Sequence, residues 1–148
     1  MSKYLSWLAV ILWMCLIFYF SHQPATASSE LSTGITEFIE ITVEKVAPNA
    51  NFITENFHHI VRKNAHFFIY LVLGVLILHA LKLNWTGKYR AMGIALFICV
   101  LYAMSDEVHQ LFVPGRGAQV KDVLIDSAGA TLGVVVYSVI NRLNSRIL

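Results

Sequence analysis

The sequence predicts an all-α integral membrane protein: a bundle of four transmembrane helices, with an amphipathic helix in the long outside loop after the first. Three observations carry this reading. The chain has 148 residues, of which 57% are hydrophobic and only 14% charged, too apolar a balance for a soluble domain of this size to cover its own surface. Four apolar runs fall at 4–20, 65–81, 91–108 and 123–140, and a spanning helix needs roughly 20 residues, with about 17–25 tolerated. The ionisable residues of the last three runs gather at one end of each. Four spans use most of the chain, so one membrane domain over 1–148 is expected.

The first span, Tyr4 to Phe20, follows Lys3 and precedes Ala25-Thr26-Ala27. That layout also suits a cleavable signal peptide. The run of 17 residues exceeds the usual signal core of about 7–15, and a retained helix is expected. In the loop that follows, Ser28 and Ser29 are natural helix caps and Glu30 suits a first turn. Leu31, Ile35, Phe38, Ile39 and Val46 recur near helical spacing, away from Glu30, Glu37, Glu40 and Glu44. This predicts an amphipathic helix resting as a lid on the bundle, ended by Pro48-Asn49-Ala50-Asn51.

The second helix is expected from near Phe52 through Leu81. At 100° per residue, His59, Lys63, His66 and Tyr70 fall within about 60° of one another, down roughly 16 Å of one face, and Gly74 continues the stripe. Lys63 can snorkel to the interface; His66 and Tyr70 lie deeper and need partners. After a turn at Asn84-Trp85-Thr86-Gly87, the third helix carries Tyr102, Asp106 and Gln110 on one face of its far end, with Glu107 turned about 100° away. Pro114-Gly115 and Gly117 predict a tight turn. Asp122 suits the first turn of the fourth helix, and Asp126, Gly129 and Gly133 share its stripe. The Gly129-x-x-x-Gly133 spacing allows close helix approach, within the bundle rather than in a dimer. Cys15 and Cys99 lie inside apolar runs without metal spacing and are expected to be small buried hydrophobes.

With both termini cytoplasmic, the inside segments hold Lys3, Lys82, Lys88, Arg90, Arg142 and Arg146 and no acid. The outside segments hold Lys45, Arg62, Lys63, Arg116 and Lys121 together with eight of the nine acids, all but Asp126. Basic loop residues set orientation, and this arrangement is the expected one. The net charge of +2 implies no nucleic-acid partner; the oligomeric state is not specified.

Alternating helix direction then brings Lys63, His66, Tyr70, Asp106, Glu107, Gln110, Arg116, Asp122 and Asp126 to one side of the membrane. Three uses compete. The cations can neutralise the carboxylates and pin the helices. Lys63 and Arg116 can hold an anionic head group, Arg by bidentate geometry, while the acids and Gln110 orient its polar parts. His66, or Asp106 with Glu107, can act as general acid and base, and proton transport would use the same groups. His66 with the acids could ligate a metal, but no short ligand spacing supports it; no metal and no cofactor are expected. His58, His79 and His109 look incidental, and His22 marks the interface. Trp7, Trp13 and Trp85 fit membrane packing or an interfacial belt.

The chain resembles the VanZ-like membrane proteins. The resemblance runs through Phe20-Ser21-His22-Gln23-Pro24, then Arg62-Lys63-Asn64-Ala65-His66-Phe67 with Tyr70 and Gly74. It continues through Ser105-Asp106-Glu107-Val108-His109-Gln110, Phe112-Val113-Pro114-Gly115-Arg116 and Asp122 to Gly129, ending near Gly133. Asp126 stands where such proteins frequently carry Asn. The resemblance implies a small helical protein of a bacterial cell membrane and envelope, named after an accessory protein of glycopeptide resistance associated with low-level teicoplanin resistance. It supplies no reaction. The expected partner is an anionic membrane lipid or lipid-linked wall precursor; the alternative is an enzyme acting on a lipid-linked substrate.

Overall fold

The computed structural model describes residues 2–24, 56–83 and 87–147. Within them every regular element is a helix: α1 is Lys3–Ser21, α2 Asn56–Lys82, α3 Lys88–Gln110 and α4 Val120–Ile147. Each is long and apolar enough to cross a membrane, and the chain is a multi-pass membrane protein. The amphipathic helix expected around 28–46 and the turn at 84–86 lie outside the described residues.

Local chemistry sets the helix ends. The Ser2 hydroxyl caps α1 by accepting the Leu5 amide at 3.3 Å, and the His22 amide closes its far end on the Phe18 carbonyl at 2.9 Å. The polar extension from Ser105 to Gln110 stays helical, so α3 outruns its apolar stretch. α4 opens at Val120, which puts Asp122 in the first turn, where a carboxylate favours the helix dipole.

α2 supplies most of the large buried side chains: Tyr70, Leu73, Ile77 and Leu78. α3 meets it with a small-residue stripe of Ala91, Ala95, Cys99 and Ala103. Small side chains are how helices approach closely in lipid, where no hydrophobic gain drives association. Cys99 is buried, but Cys15 is exposed, contrary to the expectation from its apolar run. It lies on the face of α1 that carries the exposed Leu8, Ile11, Leu12 and Tyr19, the lipid-facing side. An apolar run does not reveal which of its faces is packed.

The most extensive helix contact is between α2 and α4, and it is a backbone contact. A Cβ at Gly129 would strike the Phe67 carbonyl, one at Gly133 the Leu71 carbonyl, and one at Gly74 the Ala130 carbonyl. The glycines therefore serve packing within the bundle.

Substituting Val for Gly129 or Gly133 is expected to cost about 1–3 kcal/mol or more through overpacking, read as a lower Tm in detergent. Gly93, where a Cβ would meet nothing within 4 Å, is the control: Gly93→Ala is expected to be neutral or stabilising by up to about 1 kcal/mol.

Candidate functional site

The register of the α2–α4 contact builds the site. Phe67 lies opposite Gly129 and Leu71 opposite Gly133, so the two helices run in the same direction, with their N-terminal ends together. One turn toward that end, the Lys63 ammonium reaches the Asp122 carboxylate at 3.0 Å. One turn deeper, His66 Nδ1 lies 3.6 Å from Asp126 Oδ2. That separation is too long for a hydrogen bond, so the pair is an electrostatic contact. Asp126 is fully buried, whereas Lys63 and Asp122 keep partial access to solvent.

The C-terminal end of α3 enters the same region. Asp106 is buried, and its Oδ2 accepts from the Ser21 hydroxyl at 2.7 Å and from the Gln110 amide at 3.4 Å. Donor atoms of His66, Asp106 and Asp126 lie within 4.8 Å of one another, the arrangement at this end best suited to holding a metal ion. Tyr70 sits one turn beneath His66 and is fully buried.

The loop from α3 to α4 is fixed at several points. The Arg116 amide donates to the Val113 carbonyl at 3.1 Å. Pro114 occupies the second position of this turn, and Gly115, with φ 75°, the third. Proline then glycine with positive φ is the pattern of a type II turn. The Gln119 amide donates to Glu107 Oε2 at 2.7 Å, and the Gln119 carbonyl accepts the Asp122 amide at 2.9 Å as α4 begins. The Arg116 guanidinium reaches back to the Phe20 carbonyl at 3.4 Å.

Between these elements lies a cavity of about 110 Å³ whose lining includes Lys63, His66, Gln110, Arg116, Asp122 and Asp126. Tyr70, Asp106 and Glu107, expected beside them, do not line it. Asp106 ties α3 to α1, and Glu107 braces the loop. Ser21 and Gln119 belong to the constellation, although no periodicity in the sequence singles them out. His22 and His109 meet ring to ring at 3.1 Å beside the site, and His79 meets the Tyr137 hydroxyl at 2.8 Å, so these histidines have defined partners.

The VanZ/LLP1 family model matches residues 6–141, nearly the whole chain. No curated protein and no solved structure matches it significantly.

The Ser21–Asp106 bond makes a direct prediction. Ser21→Ala is expected to lower stability by about 1–3 kcal/mol, the range for a hydrogen bond to a charged group, with Gln110 left as the one donor to Asp106 Oδ2 among the described residues. A double-mutant cycle with Asp106→Ala, read by thermal unfolding, should return a coupling of about 0.5–3 kcal/mol.

Proposed function

We propose, from the premise that this chain belongs to the VanZ/LLP1 family, that its polar pocket faces the outside of the cell membrane. There it binds the anionic head group of an envelope lipid or lipid-linked wall precursor. The observation that carries the reading is the cavity itself. Two basic side chains, Lys63 and Arg116, share a lining of about 110 Å³ with His66 and Gln110, at the ends of helices whose other surfaces meet lipid.

The chemistry favours an anion presented from the membrane. Lys63 is about a quarter exposed even while paired with Asp122, so an incoming phosphate can compete for its ammonium. Arg116 adds a planar fork suited to phosphate or carboxylate. The acids in the lining, Asp122 near the mouth and Asp126 buried one turn deeper, limit the gain from charge alone and favour head groups that also bring hydrogen-bond donors. A lipid-linked sugar phosphate has both kinds of group. Occupancy of such a precursor by this protein would alter its exposure to glycopeptide antibiotics, a link that fits the family name.

The outward direction rests on the charges of the connecting segments. Six basic residues, Lys3, Lys82, Lys88, Arg90, Arg142 and Arg146, fall in the segments on the expected cytoplasmic side, against five, Lys45, Arg62, Lys63, Arg116 and Lys121, on the other, and basic loops stay cytoplasmic. The gathering of the acids with the five supports the same direction.

Two measurements test this. Lys63→Ala and Arg116→Lys, each verified as folded, are expected to weaken binding of polyprenyl phosphate in mixed micelles by roughly tenfold to a hundredfold. A neutral phosphatidylcholine is the reference. Unchanged binding in both variants would refute the pocket. In intact cells, with Cys15 and Cys99 replaced, a membrane-impermeant thiol reagent should label Ala118→Cys and spare Ser2→Cys. The reverse pattern would overturn the orientation.

A further inference from the structure

His66 of α2, Asp106 of α3 and Asp126 of α4 meet at one point, each offering a donor atom within 4.8 Å of the others. Their surroundings leave this cluster incomplete. Neither oxygen of Asp126 has a hydrogen-bond partner among the described residues, and neither does Asp106 Oδ1. Asp126 is 0% and Asp106 3% exposed, and polar atoms buried this deeply are ordinarily satisfied. The Tyr70 hydroxyl, also on a 0% exposed side chain, lacks a hydrogen-bond partner among the described residues as well. Groups from three helices therefore converge with unmet coordinating capacity.

α1, the one described helix that supplies no ligand, supports the same arrangement. Ser21, at the end of α1, and Gln110 both donate to Asp106 Oδ2, which orients the carboxylate and leaves Oδ1 for another partner. Ligating carboxylates are commonly held by an outer layer of hydrogen bonds in this way.

We infer that His66, Asp106 and Asp126 bind a divalent first-row metal ion, Zn²⁺ or Mn²⁺. One imidazole nitrogen with two carboxylate oxygens is a mixed donor set that suits these ions. Ca²⁺ and Mg²⁺ prefer oxygen alone. Charge balance points the same way. Two carboxylates are buried against one imidazole, which supplies one positive charge at most, whereas a divalent ion offsets both. The nearby charged groups have other partners: Lys63 pairs with Asp122, Glu107 accepts the Gln119 amide, and Arg116, which shares the cavity lining, donates to the Phe20 carbonyl. Because His66 and Asp126 also line the cavity, the open coordination positions of a three-ligand site face the place where a ligand would enter. The metal site stands independently of the anion reading, since an ion can bind with no lipid ligand present.

The test uses the full chain in detergent, stripped with EDTA and titrated with ZnCl₂ or MnCl₂. After desalting, elemental analysis is expected to find about one ion per chain. At a hundredfold excess over Kd, Tm should rise by roughly 5–10 °C, and MgCl₂ or CaCl₂ should do distinctly less. Asp126→Asn keeps the side-chain shape and removes a buried charge. It is expected to match or exceed the metal-free wild-type Tm while losing the metal-induced rise, and His66→Gln should lose that rise as well. Ser21→Ala is expected to weaken binding about 10–100-fold. The double variant of His22→Ala and His109→Ala, which removes the outer ring pair, should bind as wild type does. Substoichiometric metal, full binding in both Asp126→Asn and His66→Gln, or loss of binding in the His22/His109 double variant would overturn the site.

Discussion

The close approach of α2 and α4 governs the rest of the structure. Glycines at positions 74, 129 and 133 let one backbone lie against the other, and such contact fixes both rotation and register. The pairing of Lys63 with Asp122 and of His66 with Asp126 follows from it. So does the depth of Asp126, which reaches full burial because the helix carrying it is pressed into its neighbour. In hydrocarbon a stranded carboxylate is costly, and a sliding interface would strand this one. Packing and polar chemistry are therefore one constraint here.

Much of this was legible in the sequence. Four apolar runs of spanning length forecast the four helices, and alternating direction brought the polar ends of the last three together. The glycine stripe was readable because only a small residue allows such contact. Other features depended on rotation and loop path, which periodicity does not report. Lys63 takes Asp122 rather than Asp106. Asp106 turns toward α1, while Glu107 faces the loop. Ser21 is one serine among several in the sequence, and only the bundle shows that it reaches Asp106. The ligand atoms of His66, Asp106 and Asp126 come from three different helices, so no short spacing could announce them. Trp13, expected in membrane packing or an interfacial belt, packs against the core and also donates to the Ile69 carbonyl at 2.9 Å.

The buried carboxylates among the described residues all lie at one end of the bundle. Beyond Tyr70 toward the C-terminal end of α2, the buried positions are Leu73, Gly74, Ile77, Leu78, Ala80 and Leu81, in one core cluster with Ala91, Ala95 and Cys99 of α3. This apolar floor beneath the cavity suits a site entered and left from the same face. It also keeps the carboxylates in surroundings where each electrostatic contact counts for more than it would in water.

α1 is joined to the bundle differently from the others. Much of its surface is exposed, and it is held by discrete polar clasps. Trp13 reaches the Ile69 carbonyl, Tyr102 donates to the Met14 carbonyl at 2.6 Å, and Ser21 meets Asp106. Every partner in these clasps lies later in the chain. During synthesis α1 therefore precedes everything that fastens it: the Trp13 clasp can form once α2 is made, and the Met14 and Ser21 clasps only once α3 follows. The attachment of α1 is thus finished only after the segments downstream of it have been made.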